Sequence, residues 1–282
     1  MRVHRNVIVL GVAVATVAVS LSAVPAVAGP VVTVGANVPA NHRVAIDAID
    51  HTAWNTLLGR YVDANGMVDY RTWKAAGADQ QALDAYLVHL SQASLSQPSS
   101  REAQLAFWIN AYNAVTAKGI LREYPTTSIR NHTAKLFGYN IWKDLQLIVD
   151  GKQYSLEQIE HEILRKMGEP RIHFAIVCAS IGCPRLLNEA YAAARLEDQL
   201  AANTRAFFAD RTKFQYDAAK GTIAVSPILS WFAEDFGANQ AEQLRRVAAY
   251  LPDAASRQLA ESGTARVSNL DYDWDLNGRV SR

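Results

Sequence analysis

Along the chain, short runs that alternate apolar and polar positions interleave with longer runs of helical period. "YVDANGMVDY" (61–70) sets Asn65-Gly66 between β-prone residues, and "LQLIVDGKQYS" (145–155) repeats the device with Asp150-Gly151. Both dipeptides suit the positive-φ positions of a type I′ turn, so each predicts a β-hairpin. "KFQYDAAKGTIAVSP" (213–227) predicts a third with a longer turn. Ser155 with Gln158 forms a capping box that opens a helix over "LEQIEHEILRKM" (156–167), and Gly168 sits where it should stop. Ser226-Pro227 opens another over "PILSWFAEDFG" (227–237). "AQLAFWINAYNAVTAKGIL" (103–121) is helical with a stripe of Leu105, Trp108, Ile109, Tyr112, Val115 and Thr116. Phe107 and several alanines fall off that stripe, which predicts burial nearly all round. "IHFAIV" (172–177) reads as a buried strand, and "DYDWDLN" (271–277) as a terminal strand whose Tyr272, Trp274 and Leu276 face inward.

Hairpins interleaved with helices predict an α+β fold. The expectation is a single domain over 45–277, a mostly antiparallel sheet packed against several helices, and a short tail at 278–282. A poorly structured leader, 29–44, should precede it.

The first residues change the picture of where this domain works. Arg2 and Arg5, an apolar stretch from Val7 to Leu21 and Ala26-Val-Ala28 have the order of a secretory signal peptide, 1–28. The stretch falls short of a bilayer span, so cleavage is expected rather than anchoring, and the protein is expected to be exported, periplasmic or secreted. Cleavage removes two arginines and moves the formal charge from +1 to −1. That balance gives no nucleic-acid partner, and no later run is apolar enough to span a membrane. Two cysteines in 282 residues are too few for a disulfide framework, although an oxidising compartment permits one bridge.

Candidate chemistry comes from polar residues in apolar surroundings. Asn110 and Asn113 share one shoulder of their helix, where buried amides must either tie down loops or meet a ligand or catalytic residue. Glu160 falls in the middle of the face made by Leu156, Ile159, Ile163, Leu164 and Met167. A carboxylate there requires a cation such as Arg171 or Arg130, or a functional role. His161 points away from that face, toward solvent or a site rim. In "RIHFAIVCASIGCPRLL" (171–187), Cys183 precedes Pro184 and would be the N-cap of a helix beginning there, where amide donors favour thiolate. Cys178, ending the strand, reads as a small buried hydrophobe. A Cys178–Cys183 bridge and a purely structural free thiol remain open. The C-x₄-C spacing lacks a second ligand pair for zinc, and Asp271, Asp273 and Asp275 imitate an EF-hand loop whose glycine and glutamate positions fail. No metal and no cofactor are expected.

"VDY" (68–70), "FWINAYNA" (107–114), "YSLEQIEHEILR" (154–165), "RIHFAIVCASIGCP" (171–184), "SPILSWFAEDFG" (226–237) and "YDWDLN" (272–277) stand in the order and wording of the family catalogued as domain of unknown function 547. The chain resembles that family from about Ala45 to Asn277. The resemblance implies frequent export among bacterial members and, in plant relatives, a coiled-coil region for which this chain shows no heptads; it carries no reaction. Within these motifs lie the ingredients of a cysteine-nucleophile site. Cys183 would attack an acyl carbon, His173 or His161 would take its proton, Glu160 or Asn113 would orient the imidazole, and N–H groups near Gly182 and Cys183 would hold the oxyanion. Trp108, Asn110, Tyr112 and Arg171 are the candidate ligand contacts. The alternative is a non-catalytic domain in which Asn110, Asn113, Trp108, Tyr139, Trp142 and Trp231 line a pocket for a small molecule, peptide or glycan. A third reading is a structural envelope protein whose polar core only locks the fold.

Overall fold

The computed structural model describes residues 30–134 and 138–279. The signal-peptide reading of residues 1–28 lies outside them. Helices α1 (Thr52–Tyr61), α2 (Tyr70–Ala75), α3 (Gly77–Leu90) and α4 (Arg101–Glu123) come first, with β1 (Val32–Val34), β2 (Val44–Ala45) and β3 (Ala93–Ser94) between and before them. Next come α5 (Ile141–Asp144), β4 (Leu145–Val149), β5 (Lys152–Ser155), α6 (Leu156–Gln158) and α7 (Leu196–Ala209). The chain closes with β6 (Phe214–Asp217), β7 (Thr222–Val225), α8 (Ile228–Trp231), α9 (Ala233–Phe236), α10 (Gln240–Val247), α11 (Ala254–Ser262) and β8 (Arg266–Asn269).

The fold is α+β, with the strands in three small sheets ordered β1-β4-β5, β2-β3 and β6-β7-β8. The hairpins of 145–155 and 214–225 form as their turns predict, Asp150 and Gly151 both taking positive φ (53° and 74°). A mostly antiparallel sheet does not form. β1 with β4, β2 with β3 and β7 with β8 are all parallel. Turn signals reveal only the antiparallel partners that a tight turn joins, whereas these parallel pairs are joined through long helical stretches. The first of them also ties Val32–Val34, inside the expected leader, to Leu145–Leu147. At 61–70 the chain turns with Gly66 at φ 80°, but Asn65 does not take positive φ, so the turn is not type I′, and the pairing shrinks to one bridge between Val62 and Val68, because α1 and α2 claim the flanking residues.

α4 is the axis of the larger core, every residue from Leu105 to Ala117 being buried. A second, phenylalanine-rich core gathers Phe174, Phe207, Phe208, Phe214 and Phe236. The segment between the two is the main departure from expectation: Pro170–Phe174 is a short 3-10 helix and 175–178 has no ladder, so "IHFAIV" is not a strand. Its buried backbone is bonded by a side chain instead. Asn113 donates from Nδ2 to the Ala175 carbonyl (3.0 Å) and accepts from the Val177 N–H (2.9 Å). Asn110 treats Tyr191 likewise, at 2.8 and 2.9 Å. Each amide replaces the partner that a neighbouring strand would supply.

Candidate functional site

Beyond Val177 the chain makes a sharp loop, Cys178 to Cys183, that folds back on itself. Ala179 takes a left-handed φ of 62°, and the Cys183 N–H closes a turn on the Ser180 carbonyl. No helix follows Pro184, so Cys183 is not an N-cap. The C-terminal segment holds the loop: Ile181 N–H donates to the Asp275 carbonyl (2.8 Å), Gly182 N–H to that of Asp273 (2.7 Å) and Asn277 N–H to that of Ala179 (3.0 Å). Gly182 is required by this approach, since a Cβ there would lie 2.7 Å from the Tyr272 ring and 2.8 Å from the Asp273 carbonyl oxygen.

The result is a pair of free thiols with Sγ atoms 2.8 Å apart. Cys183 Sγ also accepts from the Cys178 backbone N–H (3.1 Å) and stands 3.1 Å from the Tyr272 hydroxyl and 3.3 Å from that of Ser180. Burial pushes the Cys183 thiol up, but the Cys178 thiol first, and then the Ser180 and Tyr272 hydroxyls, outweigh it and bring it down to about 6. Its bond to Cys183 and its burial push Cys178 well up, so the pair holds one proton, on the Cys178 side. Their exposures reverse the expectation: Cys183 is the buried one, at 5 %, and Cys178 is half-buried.

Both sulfurs line a cleft of about 270 Å³. One wall carries Glu160, which accepts a hydrogen bond from the Tyr112 hydroxyl at 3.3 Å. Burial raises the Glu160 carboxyl to about 7, against the weaker pull of Tyr112. The other wall carries His173, buried, with Nε2 2.6 Å from Asp235 Oδ2 and its ring stacked on Phe232 at 4.0 Å. Burial takes this imidazole down to about 4 although Asp235 pulls the other way, so near neutral pH it is uncharged and donates Nε2–H to the carboxylate. Arg165 grips the same Asp235 with two bonds, at 2.7 and 2.9 Å. The mouth is aromatic: Trp142, Phe232, Trp274 and a half-exposed Trp231 that stacks on Trp274 at 5.8 Å.

Residues 95–208 match the family model described as protein of unknown function, DUF547. Curated proteins and solved structures give no match to the chain. The DUF547 segment contains both cysteines, Tyr112, Glu160, His161, Arg165 and His173, whereas Phe232, Asp235, Tyr272 and Trp274 lie beyond its end.

Among the sequence candidates, Cys183, Glu160, His173, His161 and Tyr112 meet at one cleft, His161 on its exposed rim with Nδ1 accepting from Arg165 at 3.1 Å. Five others do not reach it. Asn110 and Asn113 have spent their amides on backbone, Trp108 packs edge-on to Phe107 and Tyr154 in the core, Tyr139 lies under Arg122 away from the cleft, and Arg171 is held by Glu169 and Glu197. No cation forms an ion pair with Glu160 among the described residues: Arg171 is committed elsewhere, Arg130 lies over Trp274, and Arg165, whose charge draws the carboxyl down less than burial raises it, is bonded to Asp235 and Glu234. Among the described residues no histidine lies within hydrogen-bond distance of Cys183 Sγ, and the N–H groups of Gly182 and Cys183, expected to hold an oxyanion, are bonded to Asp273 and Ser180. Sequence reasoning missed Tyr272, Ser180 and Asp235. Gly182, beside the cysteine, was the available signal that another stretch of backbone packs there.

Proposed function

We propose that this is an exported protein whose Cys183 acts as the nucleophile of a thiol-dependent acyl transfer, with hydrolysis as the transfer to water. The observation that carries the reading is the set of donors around Cys183 Sγ, which makes a thiolate without a neighbouring histidine. The thiolate attacks the acyl carbon and the leaving group departs with a proton. Glu160, whose carboxyl at about 7 is still substantially protonated at neutral pH, supplies that proton. The aromatic mouth favours an acyl group with an apolar or planar portion. His173, bonded to Asp235, positions the Phe232 wall rather than taking a proton from sulfur.

The test is mass spectrometry of the reduced protein after exposure to a small activated ester such as p-nitrophenyl acetate. An acyl adduct on Cys183 is expected, absent in Cys183→Ser; because p-nitrophenolate leaves without a proton, Glu160→Gln should keep adduct formation from this ester and slow it from an alkyl ester, whose leaving group needs the proton. No adduct on a reduced, folded protein overturns the proposal. It would leave the second reading, a non-catalytic binding domain, which the 50 % exposure of Trp231 at the mouth favours.

A further inference from the structure

We infer that Cys178 and Cys183 are also a thiol–disulfide exchange couple, which reduces a small disulfide admitted through the aromatic cleft and closes on itself as an intramolecular bridge. The inference rests on the same nucleophile as the acyl-transfer reading but demands a second residue that acyl transfer does not use, Cys178.

Three features converge. The sulfurs face each other at 2.8 Å, so a bond of about 2.05 Å needs less than an ångström of movement. The loop is held in this folded-back shape by the Asp273, Asp275 and Asn277 bonds, none of which involves either sulfur. A left-handed Ala179 persists only where the surroundings impose it, and here it turns the two side chains to the same side. Cys178, moreover, is half-buried at the cleft, where a mixed disulfide on its neighbour would lie.

The step balances with an external disulfide, R–S–S–R, as oxidant. The Cys183 thiolate attacks one sulfur; the Cys183–S bond forms, the R–S–S–R bond breaks, and one RS⁻ leaves to take a proton from water. Cys178 then gives up its proton and attacks Cys183 Sγ. The Cys178–Cys183 bond forms and the second RS⁻ leaves with that proton. Two electrons have passed from the cysteine pair to the external disulfide, now two thiols. The oxidised protein has no free Cys183 and therefore no acyl-transfer nucleophile, so an oxidising surrounding holds the site closed.

Glutathione disulfide is the probe, applied to the reduced, folded full chain and read by intact mass. The wild type should lose two hydrogens without keeping a glutathionyl group. Cys178→Ser should keep one glutathionyl group, mapped to Cys183 by peptide analysis, and Cys178→Ala should do the same if serine perturbs the loop. A stable glutathionyl adduct on the wild type, or thiols that react only after unfolding, overturns the couple. The ester experiment is independent of this one: an acyl adduct without bridge formation removes the exchange activity alone, and a bridge without an acyl adduct removes the acyl-transfer reading alone.

Discussion

Two residues of the cleft carry opposite pH dependences, and each can be separated from the other. Burial holds the Glu160 carboxyl near 7 against an ordinary value of 4.5, so the folded state binds more protons than the unfolded one between those values and loses stability as pH rises through them. The full effect is on the order of 3 kcal/mol. His173, held near 4 against 6.5, binds fewer protons when folded and loses stability as pH falls through that range. Between about pH 4.5 and 6.5 the two slopes oppose each other. Glu160→Gln removes one of them. Its urea midpoint should therefore exceed that of the wild type at about pH 8 and converge with it toward pH 5, leaving the His173 loss exposed on the acid side. The substitution strands no cation, because among the described residues none is paired with Glu160 and the nearby Arg165 keeps Asp235 and Glu234; parallel midpoints across that range would show that the carboxyl is not held up by burial.

At the scale of elements, the segment 175–178 depends on α4 for the bonds that a sheet would otherwise give it. Asn113→Ala leaves the Ala175 carbonyl and the Val177 N–H buried without partners, which at about 1–3 kcal/mol per group should cost about 2–6 kcal/mol in chemical denaturation. Asn110→Ala should cost a similar amount through Tyr191. Near-neutral changes would mean that water takes the place of the amides. These clamps also explain what the sequence disclosed and what it did not. The 145–155 hairpin, the Ser155–Gln158 capping box and the left-handed Gly168 stop were legible because each is decided by residues three or four apart. A continuous apolar run such as "IHFAIV" says only that it is buried, and it predicts a strand because a strand is the usual way to satisfy such a backbone. That a helix amide could do so instead depends on which residue of α4 faces it, which no local pattern states. The helix after Ser155 shows the same limit: its cap was legible, but not its passage into a π-helical turn over Ile159–Leu164, the stretch that carries Glu160 and His161.

For the whole molecule, the decisive contact joins two stretches that are far apart in sequence. Tyr272 stands 89 residues beyond Cys183 and outside the DUF547 match, yet its hydroxyl touches Cys183 and Ser180, and its neighbours bond the 179–183 loop. The expected strand at 271–277 does not form, only isolated bridges at Leu276 and Gly278, yet the alternation of half-buried and exposed positions from 271 to 276 matches the inward face given to Tyr272, Trp274 and Leu276; which surface that face meets was not legible. If the hydroxyl helps to make the thiolate, then Tyr272→Phe, which keeps the ring, should raise the iodoacetamide-labelling midpoint of Cys183 from about 6 toward the ordinary thiol value. Its cost in stability should stay near 1 kcal/mol. Gly182→Ala acts on the same contact from the opposite side. Its Cβ meets both the ring and the Asp273 carbonyl, so the C-terminal segment must move away and the Gly182 N–H bond to Asp273 lengthens with it. It should raise the labelling midpoint as Tyr272→Phe does and cost more stability, about 1–3 kcal/mol, because backbone rather than a flexible side-chain end has to give way. A midpoint unmoved by both substitutions would assign the thiolate to the Cys178 thiol and N–H and to Ser180, and would leave the C-terminal segment as a clamp on the loop with no part in preparing the sulfur.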